Sequence, residues 1–198
     1  MVAPLAASRS KDVAFVINVS GNVMPVIENI IYGMKANMRA AGFSKVDIGE
    51  AVAYQNQKYE VARTGQGWEQ FQAKIAELRS KNAKWLTDYA GVPKSLDDLQ
   101  FFWKVQFSYD PAVFWRQVSS PVLALYGEAD SSQPVPQIAE RLEQALKTGG
   151  NKNYTVKIFP KADHALLVWS KPNEAIHFPV LADGYLAMIS GWLKSRRV

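Results

Sequence analysis

Apolar residues follow two rhythms along this chain. "VAFVINVSG" (13–21) is a nearly continuous run rich in β-branched residues, and it ends at Gly21. Bounded by "SRSKD" and "GN", it predicts a strand buried on both faces, as in a parallel sheet. "PVLALYGEAD" (121–130) reads as a second buried strand and "YTVKIFP" (154–160) as a third. Between them, "PVPQIAERLEQALKTGG" (134–150) is an amphipathic helix stopped by a glycine pair. "FPVLADGYLAMISGWLKSRR" (178–197) predicts a closing helix with Leu181, Tyr185, Met188, Ile189 and Trp192 inward. "MVAPLAASR" (1–9) has the composition of a helix end.

From Met24 to Trp115 the spacing is helical. Ile27, Ile30, Ile31, Met34 and Met38 recur every three or four residues, behind Pro25 in a first helical turn. Ser44 and Asp47 are candidate N-caps of a second helix, with Val46, Ala53, Tyr54 and Val61 as its stripe. Trp68, Phe71, Ile75, Leu78 and Trp85 mark a third. The aromatic stretch 95–118 predicts a short helix and a loop. The resulting plan is α/β. Residues 1–23 and 116–198 supply about three parallel strands with crossover helices, and 24–115 form a helical insertion.

Composition removes several chemistries. At 48% hydrophobic and 21% charged, the chain can bury a real core. No cysteine means no disulfide, no thiolate metal site and no Cys nucleophile. Two histidines and no H-E-x-x-H predict no metal, and no motif calls for a cofactor. The net charge of +5 comes from scattered residues, with a small cluster at Lys194, Arg196 and Arg197 that suits a helix end. No basic stripe accompanies it, so nucleic acid is not an expected partner. No apolar run reaches the roughly 18 residues needed to span a bilayer. The start lacks a secretory signal pattern, which leaves a soluble, cytoplasmic protein as the default expectation.

In an open parallel sheet, functional groups collect at the carboxyl ends of strands. Asp130 follows the second predicted strand, and His164, in "KADHALL", follows the third. Adjacent parallel strands bring these ends together, where a carboxylate could orient an imidazole and stabilise its cation. Position alone leaves a second reading open, with Asp130 as a turn or cap residue and His164 as a loop histidine.

"SSPVLALYGEADSSQPV" followed by "KIFPKADHALL" resembles the C-terminal half of α/β-hydrolases. There a strand leads into G-x-x-D, and the next leads into a loop with the catalytic histidine. The upstream "FSYDPAVFWRQV" resembles esterases and dienelactone-hydrolase-like or prolyl-oligopeptidase-like proteins. "PLAASRSKDVAFVINVSG" resembles the helix after the nucleophile elbow and the strand that follows it. The resemblance implies a partial α/β-hydrolase fold in which 24–115 is a helical cap. It implies ester or peptide-type acyl hydrolysis by ancestry, with Asp130 as triad acid and His164 as triad base. Glu128 competes for the acid role, but Asp130 occupies the D of G-x-x-D. Asp163 then reads as a surface loop residue, and His177 as structural or exposed.

The family nucleophile sits in G-x-S-x-G, and this sequence contains neither that motif nor any S-x-G. The family would place the elbow and the oxyanion donors before residues 1–9. The expectation is therefore a chain inactive on its own: a fragment, one half of a two-chain hydrolase, or a binding or assembly module. Ser20, ending the first strand, is the substitute nucleophile to consider, and Ser131 and Ser132 read as capping or turn residues. The strand at 13–19 would be an exposed apolar edge, which predicts a homo-oligomer, most simply a dimer. The aromatic residues of 68–115 form the insertion's core or line a pocket for a small apolar or ester ligand.

Overall fold

The computed structural model describes residues 2–169 and 178–196. Met1, Arg197 and His177 lie outside them. The described chain divides into two compact units, 1–24 with 110–198, and 25–109.

In the first unit, α1 (Val2–Arg9) leads into β1 (Val16–Val19). After residue 109 come α6 (Pro111–Trp115), β2 (Val122–Gly127), α7 (Val135–Thr148) and β3 (Tyr154–Phe159). The three strands form a parallel sheet in the order β1-β2-β3. Val16 pairs with Val122, and Val122 in turn with Tyr154. β2 is buried along its whole length, as its uninterrupted apolar run requires. Its side chains alternate between two cores. Val122, Ala124 and Tyr126 pack with Ile138, Leu142 and Leu146 of α7. Leu123 and Leu125 pack with Phe159, Leu166 and Trp192. β1 is shorter than its apolar run, it pairs on one side only, and its last residue, Val19, is exposed.

The C-terminal region departs from the sequence expectation. The helix α8 starts at Tyr185 and runs to Lys194. Before it, β5 (Val180–Leu181) pairs antiparallel with β4 (Leu167–Val168), and Gly184 at φ 74° makes the turn into the helix. Leu181 is therefore exposed, whereas Tyr185, Met188, Ile189 and Trp192 pack inward.

Two polar ties hold the first unit. Asp110 caps α6 by accepting from the Ala112 N–H, with Pro111 in the first helical position. Its other oxygen accepts from Arg141 of α7 at 3.0 Å, while Arg141 Nε donates to the Val23 carbonyl. The "YDP" segment thus docks a short helix onto the long one. Buried Asn151 donates to the carbonyls of Val118 and Ser120 and accepts from the Asn153 N–H. It ties the entry of β2 to the entry of β3.

The second unit is helical: α2 (Val26–Ala40), α3 (Lys45–Thr64), α4 (Trp68–Ser80), a π-helical turn Leu86–Ala90, α5 (Leu96–Phe102) and a second π-helical turn, Trp103–Phe107. Ser44 and Asp47 form a reciprocal capping box on α3. The buried face of that helix differs from the predicted stripe. Val46 and Ala53 are exposed, and Ile48, Ala51, Tyr54, Tyr59 and Val61 face inward. Phe71, Trp85, Tyr54 and Met38 fill a core of its own. The stretch 95–118 holds three helical pieces rather than one helix and a loop. Among the described residues, no helix is long and apolar enough to cross a membrane.

Asn151→Ala leaves two carbonyls without their donor. We expect a loss of about 2–3 kcal/mol, read as a lowered denaturation midpoint at unchanged m-value.

Candidate active site

The loops after β2 and β3 meet at Gly127. A Cβ there would lie 2.1 Å from the Asp163 carbonyl oxygen and 2.4 Å from that of Ala162. Only a residue without a side chain lets the two backbones approach this closely. The contact is fastened by hydrogen bonds from the Glu128 N–H to the Phe159 carbonyl and from the Ala129 N–H to the Ala162 carbonyl. The glycine of G-x-x-D therefore sets where both loops stand.

Asp130 follows, with its side chain 1% exposed. Its Oδ1 accepts from the Ser132 N–H at 2.9 Å and from the Ser132 hydroxyl at 2.6 Å. Its Oδ2 accepts from Gln133 Nε2 at 2.8 Å and pairs with His164 Nδ1 at 2.7 Å. Burial raises the pKa of this carboxyl. Hydrogen bonds from Ser132 and His164 and attraction to the imidazole outweigh it and hold the group below its ordinary value. A carboxylate only accepts, so the proton of the bond sits on Nδ1, and Nε2 of the neutral ring carries the lone pair. Ser132 Oγ lies 3.4 Å from the same Nδ1. Its proton is already committed to Asp130, so this contact adds little.

His164 is 61% exposed, and its loop is held by its neighbour. Asp163 Oδ1 accepts from the N–H groups of Ala165 and Leu167, and Oδ2 accepts from the Trp169 indole at 2.7 Å. Burial raises the Asp163 pKa, but these bonds bring it below the ordinary value. Leu166 adopts φ 60° in the same loop. Asp163 is thus the organiser of the histidine loop, a role beyond that of a plain surface residue. Glu128 accepts from the Lys161 N–H, and the carboxylate that meets His164 is that of Asp130. Ser132 belongs to a turn closed on Asp130, and α7 begins after Pro134 with no side-chain cap.

Ser20 is 5% exposed, at φ 49°, and its hydroxyl has no hydrogen-bond partner. Its backbone is fixed, the N–H to the Leu125 carbonyl and the carbonyl to Gln133 Nε2 at 3.0 Å. Asn18 and Tyr126 brace the same turn through the Gly21 carbonyl. Gln133 is the residue that sequence reasoning missed. Buried at 2% exposure, it bridges the end of β1 and the Asp130 carboxylate. Its only signal was a polar residue before Pro134, which any turn can supply. Among the described residues, no group of His, Asp or Glu is arranged to hold a metal ion.

Residues 107–188 match the model of the dienelactone hydrolase family. No curated protein matches the chain. Solved structures similar to it include an α/β-hydrolase enzyme from a Medee basin deep-sea metagenome library, at 15% identity and TM-score 0.44 over 100% of this chain and 62% of that one. A non-heme bromoperoxidase candidate from Mycobacterium tuberculosis has 14% identity and TM-score 0.39 over 82% of this chain and 55% of that one. Proline iminopeptidase from Mycobacterium smegmatis has 12% identity and TM-score 0.41 over 83% and 55%. The chain thus spans between 55% and 62% of the length of these proteins. Asp130 and His164 both fall within the family match, and through that stretch the chain is related to the α/β-hydrolase superfamily.

Proposed function

We propose that the chain carries the acid–base portion of a serine-hydrolase site, with Asp130 as the orienting acid and His164 as the base, acting in ester or peptide-type acyl transfer. The observation that carries this reading is the 2.7 Å contact between a buried carboxylate and an exposed imidazole. A carboxylate with four hydrogen-bond donors cannot rotate away, so Nδ1 stays oriented. Nε2 is then the atom left to take a proton from a nucleophile and return it to a leaving group.

The sequence holds no G-x-S-x-G, and the reading assigns the nucleophile to a polypeptide outside these residues. Without a nucleophile the pair forms no acyl-enzyme. The purified chain is expected to hydrolyse p-nitrophenyl acetate no faster than its His164→Ala variant, and to take up no fluorophosphonate probe. Turnover lost in both Asp130→Ala and His164→Ala, with labelling at Ser20, would overturn the assignment of the nucleophile elsewhere.

The Asp130–His164 hydrogen bond has its own signature in stability. The folded-state pKa of Asp130 is depressed, so its contribution is complete above the unfolded value of about 3.9 and fades as pH falls through the folded value. Denaturant titrations should show wild type more stable than Asp130→Asn at pH 7. That gap should narrow below about pH 4. A gap that stays constant down to pH 2 would argue against the pair.

A second reading, a non-catalytic assembly domain, is favoured by β1. Among the described residues nothing pairs with its outer edge, and Val19 is exposed there. We propose that a second copy covers this edge in a two-fold dimer. Light scattering at micromolar concentration should report twice the mass of 22.1 kDa. A monodisperse monomer rejects the dimer.

A further inference from the structure

The helical unit holds a cavity of about 440 Å³ that plays no part in the acid–base pair. Its apolar walls include Val92, Pro93, Leu99, Phe102 and Phe107, and Lys58 of α3 also lines it. The volume falls in the range of small-molecule clefts, about 300–1,000 Å³.

Lys58 is the unusual member. Its ammonium donates to the Ala90 carbonyl at 2.5 Å and lies 5.8 Å from the Tyr54 ring centroid and 5.3 Å from that of Tyr59. Ala90 ends a π-helical turn, so this bond caps a helix terminus. The cap uses one of three N–H donors, and no carboxylate among the described residues pairs with the charge. Burial pulls the Lys58 pKa down to about 8, which leaves the group mostly charged at neutral pH. A half-buried ammonium with spare donors is costly unless an anion meets it. Lys94 and Asp98 also line the cavity and offset one another, so the net charge of its lining is that of Lys58. Beside it, Phe102 is 48% exposed although it packs on Phe107, and Phe101 and Val105 are more exposed still.

We propose that this cavity binds a small amphipathic monocarboxylate, with its carboxylate on Lys58 and its apolar chain along Phe102 and Phe107. Charge complementarity selects the anionic head, and the uncovered aromatic wall selects the tail. The site is independent of whether the chain takes part in hydrolysis.

Isothermal titration of the purified chain with sodium octanoate, and with 1-octanol as the neutral probe, tests it. Octanoate should bind saturably at one per chain, about tenfold or more tighter than octanol. Lys58→Met should remove that preference, and Phe102→Ser should weaken both ligands. Phe102 is half-exposed, so its truncation is expected to leave the fold intact, which circular dichroism checks. Should Lys58→Met fail to fold by circular dichroism, the wild-type preference and the Phe102→Ser titration decide the matter. Absence of saturable octanoate binding, equal affinity for the two probes, or octanoate binding unchanged in a folded variant each overturns the proposal and leaves Lys58 as a helix cap alone.

Discussion

β2 is buried along its whole length and paired on both edges, and it ends at a glycine over which the histidine loop passes within van der Waals reach of the backbone. That close approach governs the geometry of the first unit. The register of β2 fixes the height of Gly127, and Gly127 fixes the distance between the Asp130 turn and the 159–166 loop. Displacement of either loop would break the backbone bonds from Glu128 and Ala129 together with the Asp130–His164 pair.

Around that crossing the polar groups form one connected set. Gln133 joins the end of β1 to the Asp130 carboxylate, which meets His164, and the histidine loop is closed by Asp163. The arrangement satisfies all but one of its buried members. The exception is the Ser20 hydroxyl, held at a left-handed backbone conformation with no partner. Non-glycine residues adopt that conformation at a cost. Here the surrounding bonds to Leu125 and Gln133 over-determine it.

Strands with continuous apolar runs were legible in the sequence, because both faces of β2 are covered and no polar position interrupts the run. The Asp130 and His164 positions were legible for the same reason: they lie just beyond strands whose limits the pattern marks. The start of α8 was not. "VLADGYL" is apolar enough for a helix, and only the pairing of Val180 and Leu181 with Val168 and Leu167 distinguishes strand from helix there. The buried face of α3 was equally hidden. Apolar residues lie all around that helix, and tertiary packing rather than spacing selects Ile48 and Ala51 over Val46. Gln133 escaped because a turn glutamine and a buried bridging glutamine are identical in one dimension.

The long connection between β1 and β2 has a kinetic consequence. Asn18 bonds the Tyr126 hydroxyl across 108 positions of sequence, and the helical unit lies within that interval. Closing so long a loop from an unstructured chain carries a large entropic penalty, which slows the pairing of the strands. The helical unit has its own core and local contacts, so the expected order is collapse of that unit first, which shortens the loop left to close. Until β1 docks, its apolar run stands open. The interval between the two events is when this chain is most prone to aggregate, and when a folding assistant would be of greatest use.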